Sequence, residues 1–273
     1  MIRTPQERER TRATIASMSR KLMLSSRVVE LCESEATPRQ EEFLLKVLSE
    51  EIDRRERDRK ARLFNRAGFP TFKSFEDYDF SEIRYPQTLS IEELLRTDFI
   101  PEKKNLVLYG GVGTGKTHMA IALGIAACEK GLSVRFLTVT ELVLKLTEAY
   151  KQGTLERLIR DLKQLDLLIL DEWGYVPVDR EGSQLLFRII ADSYESKSLI
   201  LTTNLEFSKW GGIFTDEQMA AAMIDRLVHH GHLLLFEAKS YRMTHALMRQ
   251  PGPGKLKPKT TVEAGSRLEE GGA

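Results

Sequence analysis

Eight consecutive residues, Gly110-Gly111-Val112-Gly113-Thr114-Gly115-Lys116-Thr117, constrain this chain more than any others. They satisfy G-x-x-x-x-G-K-[ST], follow an apolar strand-like run (Leu106, Val107, Leu108, Tyr109) and open a helical one. That spacing has a physical cause. Glycines let the backbone curl into a nest whose N–H groups converge on phosphate oxygens, and the helix that follows adds the positive end of its dipole. In such a loop Lys116 reaches the β- and γ-phosphates and the Thr117 hydroxyl holds Mg²⁺, with His118 next in line on the first turn. A glycine-rich turn with a chance Lys-Thr is the plain alternative. The order strand, loop, helix argues for a nucleoside triphosphate site, with ATP and Mg²⁺ as the expected ligands.

A second block narrows the chemistry. Leu165 to Glu172 reads Leu-Asp-Leu-Leu-Ile-Leu-Asp-Glu, an apolar strand that ends in two carboxylates. A buried parallel strand ending this way offers Asp171 to the Mg²⁺ shell and Glu172 as the base that polarises a water for in-line attack on the γ-phosphate. The simpler alternative makes Asp171 a turn cap and Glu172 a solvated charge. Leu199 to Asn204 (Leu-Ile-Leu-Thr-Thr-Asn) is another buried-strand pattern. If it lies between the other two strands, Asn204 can hydrogen-bond the attacking water or the γ-phosphate; otherwise Asn simply starts a turn, as it does well.

Two arginines extend the candidate set. Arg226, in Asp225-Arg226-Leu227 on a helix, is placed to stabilise the transition state of a neighbouring subunit, while Arg242, in Ser240-Tyr241-Arg242, could contact the γ-phosphate of its own. Surface salt bridges are the ordinary fate of such arginines. His229, His230 and His232 cluster without a cysteine or carboxylate to complete a metal site.

Charge matters by distribution. The formal net charge is only +1 although 30 % of residues are charged. Between residues 54 and 66, Arg54, Arg55, Arg57, Arg59, Lys60, Arg62 and Arg66 face only Glu56 and Asp58, which suits either a phosphate-binding face or a solvated, ion-paired helix. Cys32 and Cys128 are too few and too far apart for a disulfide framework, and no run approaches the roughly 18 apolar residues of a membrane span. A reducing, cytoplasmic setting and no membrane partner are expected.

The organisation expected is α/β. Residues 1–68 form a small all-helical domain, 69–104 an aromatic, loop-rich connector, 105–249 a parallel sheet wrapped by helices, and 250–273 a disordered tail. Within the core, strands are expected near 105–109, 133–138, 166–171, 198–203 and 232–237, alternating with helices over 115–130, 140–164, 180–194 and 216–229. The connector aromatics (Phe72, Phe75, Tyr78, Phe80, Tyr85) are expected to pack against the core, with one of them beside the nucleotide base as the alternative.

With these motifs in this order, residues 10 to 249 resemble the IstB-like transposition helper ATPases, AAA+ relatives of the DnaC helicase loader and the DnaA initiator. The specific segments are Gly-Lys-Thr-His-Met-Ala (115–120), Asp-Glu-Trp-Gly-Tyr-Val-Pro (171–177), Thr-Asn-Leu-Glu-Phe-Ser-Lys-Trp-Gly (203–211) and Asp-Arg-Leu-Val-His-His (225–230). The resemblance implies a homo-oligomer, an AAA+ spiral or ring, that assembles on double-stranded DNA with ATP and recruits a partner transposase. It also implies a DNA-tracking helix after the second strand, for which residues 139–164 supply Lys145, Lys151, Arg157, Arg160 and Lys163. Arg54, Arg55, Arg59, Lys60 and Arg62 join them as candidate DNA contacts. One departure is visible: after Arg242 too little chain remains for a helical lid. A DnaC-like helicase loader is the alternative, with the N-terminal domain a protein-docking module. A small-molecule kinase is disfavoured, because nothing resembles an acceptor lid.

Overall fold

A computed structural model describes residues 4–175, 179–214, 216–238 and 240–241. The chain starts with three helices, α1 (Pro5–Lys21), α2 (Ser26–Ser34) and α3 (Pro38–Ala67). Their starts are written locally. Thr4 with Glu7, and Thr37 with Gln40, form capping boxes that satisfy first-turn N–H groups, and a proline follows each cap. Gly68, at φ 76°, ends α3 in the left-handed conformation glycine tolerates best.

The helical region has its own small core of Ile15, Leu22, Cys32, Leu48 and Ile52. Buried beside it, Glu41 accepts from Arg8 Nε at 3.0 Å and Arg12 Nε at 2.7 Å, while Arg8 Nη2 donates to the Ala36 carbonyl. Helix α3 does not stop at this unit. Its last turns carry Leu63, Phe64 and Ala67 into the main core, against the sheet.

That sheet has six strands among the described residues: β1 (Ile83–Arg84), β2 (Asn105–Gly110), β3 (Val134–Thr138), β4 (Leu167–Trp173), β5 (Ser198–Thr203) and β6 (Gly231–Phe236). Their order is β1-β6-β2-β5-β4-β3, parallel throughout except for the β1–β6 pair. Helices α4 (Ile91–Leu95), α5 (Lys116–Glu129), α6 (Val139–Lys151), α7 (Leu155–Lys163), α8 (Arg180–Ser193) and α9 (Glu217–His229) surround it.

Both faces are covered, so the strands are apolar on both sides. Leu167 and Ile169 of β4 join the core on the α5 face; Leu168 and Leu170 join that of α6 to α9. Each such side chain, removed completely from water, contributes about 1.5–3 kcal/mol. The expected core strands and helices are present within a few residues. The connector holds more order than its sequence suggested, because β1 and α4 form there; the latter starts at a Ser90–Glu93 capping box. The expected tail, residues 250–273, lies outside the described residues. No described helix is long and apolar enough to cross a membrane.

Candidate nucleotide site

The sheet brings three strand ends together. Strand β5 lies between β2 and β4, so the loop after β2, the acidic pair at the end of β4 and the amide after β5 share the C-terminal edge of the sheet. This is where parallel α/β sheets place their ligands.

In the loop, Gly113 and Gly115 take φ of 79° and 97°, conformations that bend the chain into the start of α5. Added Cβ atoms would also collide there. At Gly113 one would lie 2.3 Å from Ser240 Oγ, and at Gly115 one would lie 2.9 Å from the Tyr78 hydroxyl. Lys116 is buried, and its ammonium donates to the carbonyls of Gly110 at 2.8 Å and Gly111 at 2.6 Å. Gly111 and Val112 are exposed at the loop tip, where Thr114 Oγ1 donates back to the Gly111 carbonyl.

Thr117 Oγ1 donates to both Asp171 oxygens, at 3.0 and 3.2 Å. Thr202 of β5 donates to Asp171 Oδ1 as well. The buried carboxylate is thereby held by two hydroxyls at the foot of the loop. Glu172 differs from both neighbours: it is exposed between buried Asp171 and Trp173, with φ at 62°. The β4–β5 pairing shifts register between Leu170 and Trp173. Left-handed backbone at a non-glycine residue is strained, and here it turns one carboxylate out of the sheet beside the phosphate loop.

Asn204 follows β5 directly. Its Oδ1 is buried and has no hydrogen-bond partner among the described residues. A donor such as a water proton suits that acceptor.

The connector closes the site from one side. His118 Nε2 lies 2.7 Å from the Ser74 carbonyl, and Tyr78 donates to the Gly115 carbonyl at 3.2 Å while its ring stands 4.9 Å from that of His118. Burial pushes the Tyr78 phenol up from its ordinary value. From beyond β6, the Tyr241 N–H donates to the Gly113 carbonyl at 2.9 Å. The sequence placed Tyr78 among the connector aromatics without singling it out, and of those Phe75, Tyr78, Phe80 and Tyr85 do pack against the core. Thr202 was missed, although a polar residue inside a strand otherwise written for burial was a signal.

The remaining candidates divide. Arg226 is occupied within its own subunit: Nη1 donates to the Ala222 carbonyl at 2.9 Å and the guanidinium stacks 5.1 Å from the Phe187 ring. Arg242 lies outside the described residues. His229, His230 and His232 meet three different partners, Tyr194, Glu195 and Thr88. In the basic run of α3, Arg54 pairs with Asp58, Arg55 with Glu51, and Arg59 donates to the Gly131 carbonyl, tying α3 to the core. Lys60 and Arg62 are exposed on α3, as are Lys145 and Lys151 of α6 and Arg157 and Arg160 of α7. Helix α3 packs on β3 and α5, whereas α6 packs on β3, β4 and α8. The two basic segments therefore flank the β3 edge from opposite faces.

A parallel sheet in this order, with the phosphate loop after β2 and the acidic pair after β4, is the AAA+ form of the P-loop fold. The AMPPCP-bound DnaA from Aquifex aeolicus has the same fold, with a TM-score of 0.51 at 21 % identity over 65 % of this chain and 54 % of that one. The chain belongs to the IstB-like ATP binding protein family, whose model matches residues 21–248. It is 38 % identical over 203 residues to the "Insertion sequence IS21 putative ATP-binding protein" of Pseudomonas aeruginosa, covering 74 % of this chain and 76 % of that protein. It is 35 % identical to the "Insertion sequence IS5376 putative ATP-binding protein" of Geobacillus stearothermophilus, over 77 % of this chain and 83 % of the relative.

Proposed function

We propose that this protein is an ATP-hydrolysing, oligomeric DNA-binding protein of a mobile element, which assembles on double-stranded DNA with little sequence preference, bends it, and recruits and activates a partner transposase. The observation that carries this reading is the meeting of Lys116, Thr117, Asp171, Glu172 and Asn204 at one sheet edge, in a chain whose relatives are named insertion-sequence ATP-binding proteins.

The residues fit their ligands. Gly113 and Gly115 let the loop take left-handed turns while Ser240 and Tyr78 pack against it, the curled form that would cradle phosphates. Lys116 would exchange the loop carbonyls for the β- and γ-phosphates. Thr117 and Asp171 would hold Mg²⁺, which neutralises charge on the phosphate oxygens when bound. Glu172 would accept a proton from water aimed at the γ-phosphorus, and Asn204 Oδ1 would orient that water; the products are ADP and inorganic phosphate. Arg226 would leave Phe187 and Ala222 to reach the nucleotide of an adjoining subunit.

Exposed Lys60, Arg62, Lys145, Lys151, Arg157 and Arg160 support a backbone-reading DNA surface, since cations on opposite faces of one sheet edge suit phosphates and read no base. Oligomerisation would turn many weak phosphate contacts into one salt-sensitive footprint. Bending costs a few kcal/mol for tens of degrees, which these added contacts would offset. Two buried free cysteines support a reducing, cytoplasmic setting.

Mass photometry of the protein with random-sequence duplex, comparing ATP with ADP at two salt concentrations, tests the reading. ATP-dependent multimers that load on DNA and dissociate with salt are expected. Monomers under every condition would overturn assembly on DNA and favour a helicase loader acting through protein contacts.

A further inference from the structure

Thr202 is 2 % exposed, and its one hydroxyl serves two neighbours. Its proton goes to Asp171 Oδ1, and its oxygen accepts the Glu172 N–H at 3.0 Å. The next residue repeats the device on the far side of Glu172: Thr203 Oγ1 donates to the Trp173 carbonyl at 2.9 Å and accepts from the Leu205 N–H at 3.1 Å. Where the β4–β5 ladder slips and Glu172 turns left-handed, side-chain hydroxyls of β5 replace backbone pairing.

A buried strand position needs no hydroxyl for packing. Valine has the same branched shape, suits a strand at least as well, and carries no polar atom to desolvate. The hydroxyl at 202 thus marks a demand from the site. We propose that Thr202 is a positioning residue for the reaction, setting the Asp171 carboxylate against Thr117 and fixing the bend that presents Glu172. This inference rests on the ATP-hydrolysing reading of the site. It predicts that metal-dependent binding and turnover fail together when the hydroxyl is removed, because Thr202 acts through Asp171 and Glu172.

The test compares T202V and T202S with the wild type in two assays. The first is the affinity for a non-hydrolysable ATP analogue with and without Mg²⁺, read from tryptophan fluorescence. The only two tryptophans, Trp173 and Trp210, stand 5.1 Å apart directly behind Glu172, so their emission reports this corner. The second is steady-state hydrolysis at saturating Mg²⁺. In T202V the tightening conferred by Mg²⁺ should fall about tenfold and kcat about 10- to 100-fold, as for other residues that orient a metal ligand. Affinity for the analogue without Mg²⁺ should stay within about threefold of wild type, KM for MgATP should rise with the lost tightening, and T202S should recover both properties.

Wild-type metal dependence and kcat in T202V would overturn the proposal, as would T202S as impaired as T202V. If valine at 202 prevents folding, judged by the melting curve, T202A carries the same comparison. A wild type that shows neither Mg²⁺-dependent binding nor turnover would instead refute the reading of the site, and the role of Thr202 with it.

Discussion

Lys197 is a buried ammonium whose cost can be measured. It lies just ahead of β5, is 1 % exposed, and donates from Nζ to the Leu162 carbonyl at the C-terminal end of α7. A cation suits that end of a helix, where carbonyls lack internal partners. Burial nevertheless lowers the amine from its ordinary 10.5 to about 8, with the Asp192 carboxylate pulling it up and the Lys163 ammonium pushing it down. The sign follows directly. Between pH 8 and 10.5 the unfolded chain holds this proton more tightly than the folded one, so raising the pH through that window stabilises the fold. At pH 7 the charge costs about 3 kcal/mol, and at pH 10 about 1 kcal/mol.

Lys197→Met keeps the length and removes the titration. Urea unfolding of wild type and variant at both pH values isolates this contribution, because titrating groups remote from Lys197 cancel in the difference. Wild-type stability relative to the variant should rise by about 2.5 kcal/mol between pH 7 and pH 10. A difference that stays flat within about 0.5 kcal/mol would refute the argument that this amine is desolvated.

Other perturbations probe the site and its support. Glu172→Gln should retain nucleotide binding and hydrolyse about 10²- to 10⁴-fold more slowly; unchanged turnover would remove Glu172 as the base. Arg226→Ala should lose about 10³-fold or more of assembled activity and regain part of it when mixed with Glu172→Gln subunits that keep Arg226. No regain in the mixture would leave Arg226 as the residue that packs α9 on Phe187. At Glu41 burial opposes the charge, but the hydrogen bonds from Arg8 and Arg12 outweigh it and hold the carboxyl below its ordinary value. Glu41→Ala should therefore lower the melting temperature at pH 7, with the gap to wild type closing only as the pH falls below the usual carboxylate range. A gap independent of acid would show that the arginines do not stabilise the carboxylate.

Much of this architecture was legible because periodicity and punctuation agree. Apolar runs ending in Gly110, Asp171 and Asn204 announced three buried parallel strands, and Gly68 announced the end of α3. The place of β5 between β2 and β4 could only be stated as a condition, since strand order depends on contacts remote in sequence. The left-handed bend at Glu172 had no local sign, because glutamate rarely adopts that conformation and a tertiary partner, Thr202, holds it there. The connector was underread for a related reason: β1 exists by pairing with β6, more than a hundred residues later. In the basic run of α3, composition could not separate residues that pair within the protein, such as Arg55 and Arg59, from exposed Lys60 and Arg62.

The continuity of α3 has a mechanical consequence. Thirty unbroken residues make a rod about 45 Å long, clamped at one end against β3 and α5 and carrying the small helical core at the other. A rotation of about ten degrees at the clamped end would sweep the far end through about 8 Å. Residues 4–50 thus ride as the tip of a lever whose fulcrum adjoins the helix that begins at Lys116, and a small adjustment around a bound phosphate would be magnified there into a displacement large enough for another molecule to feel.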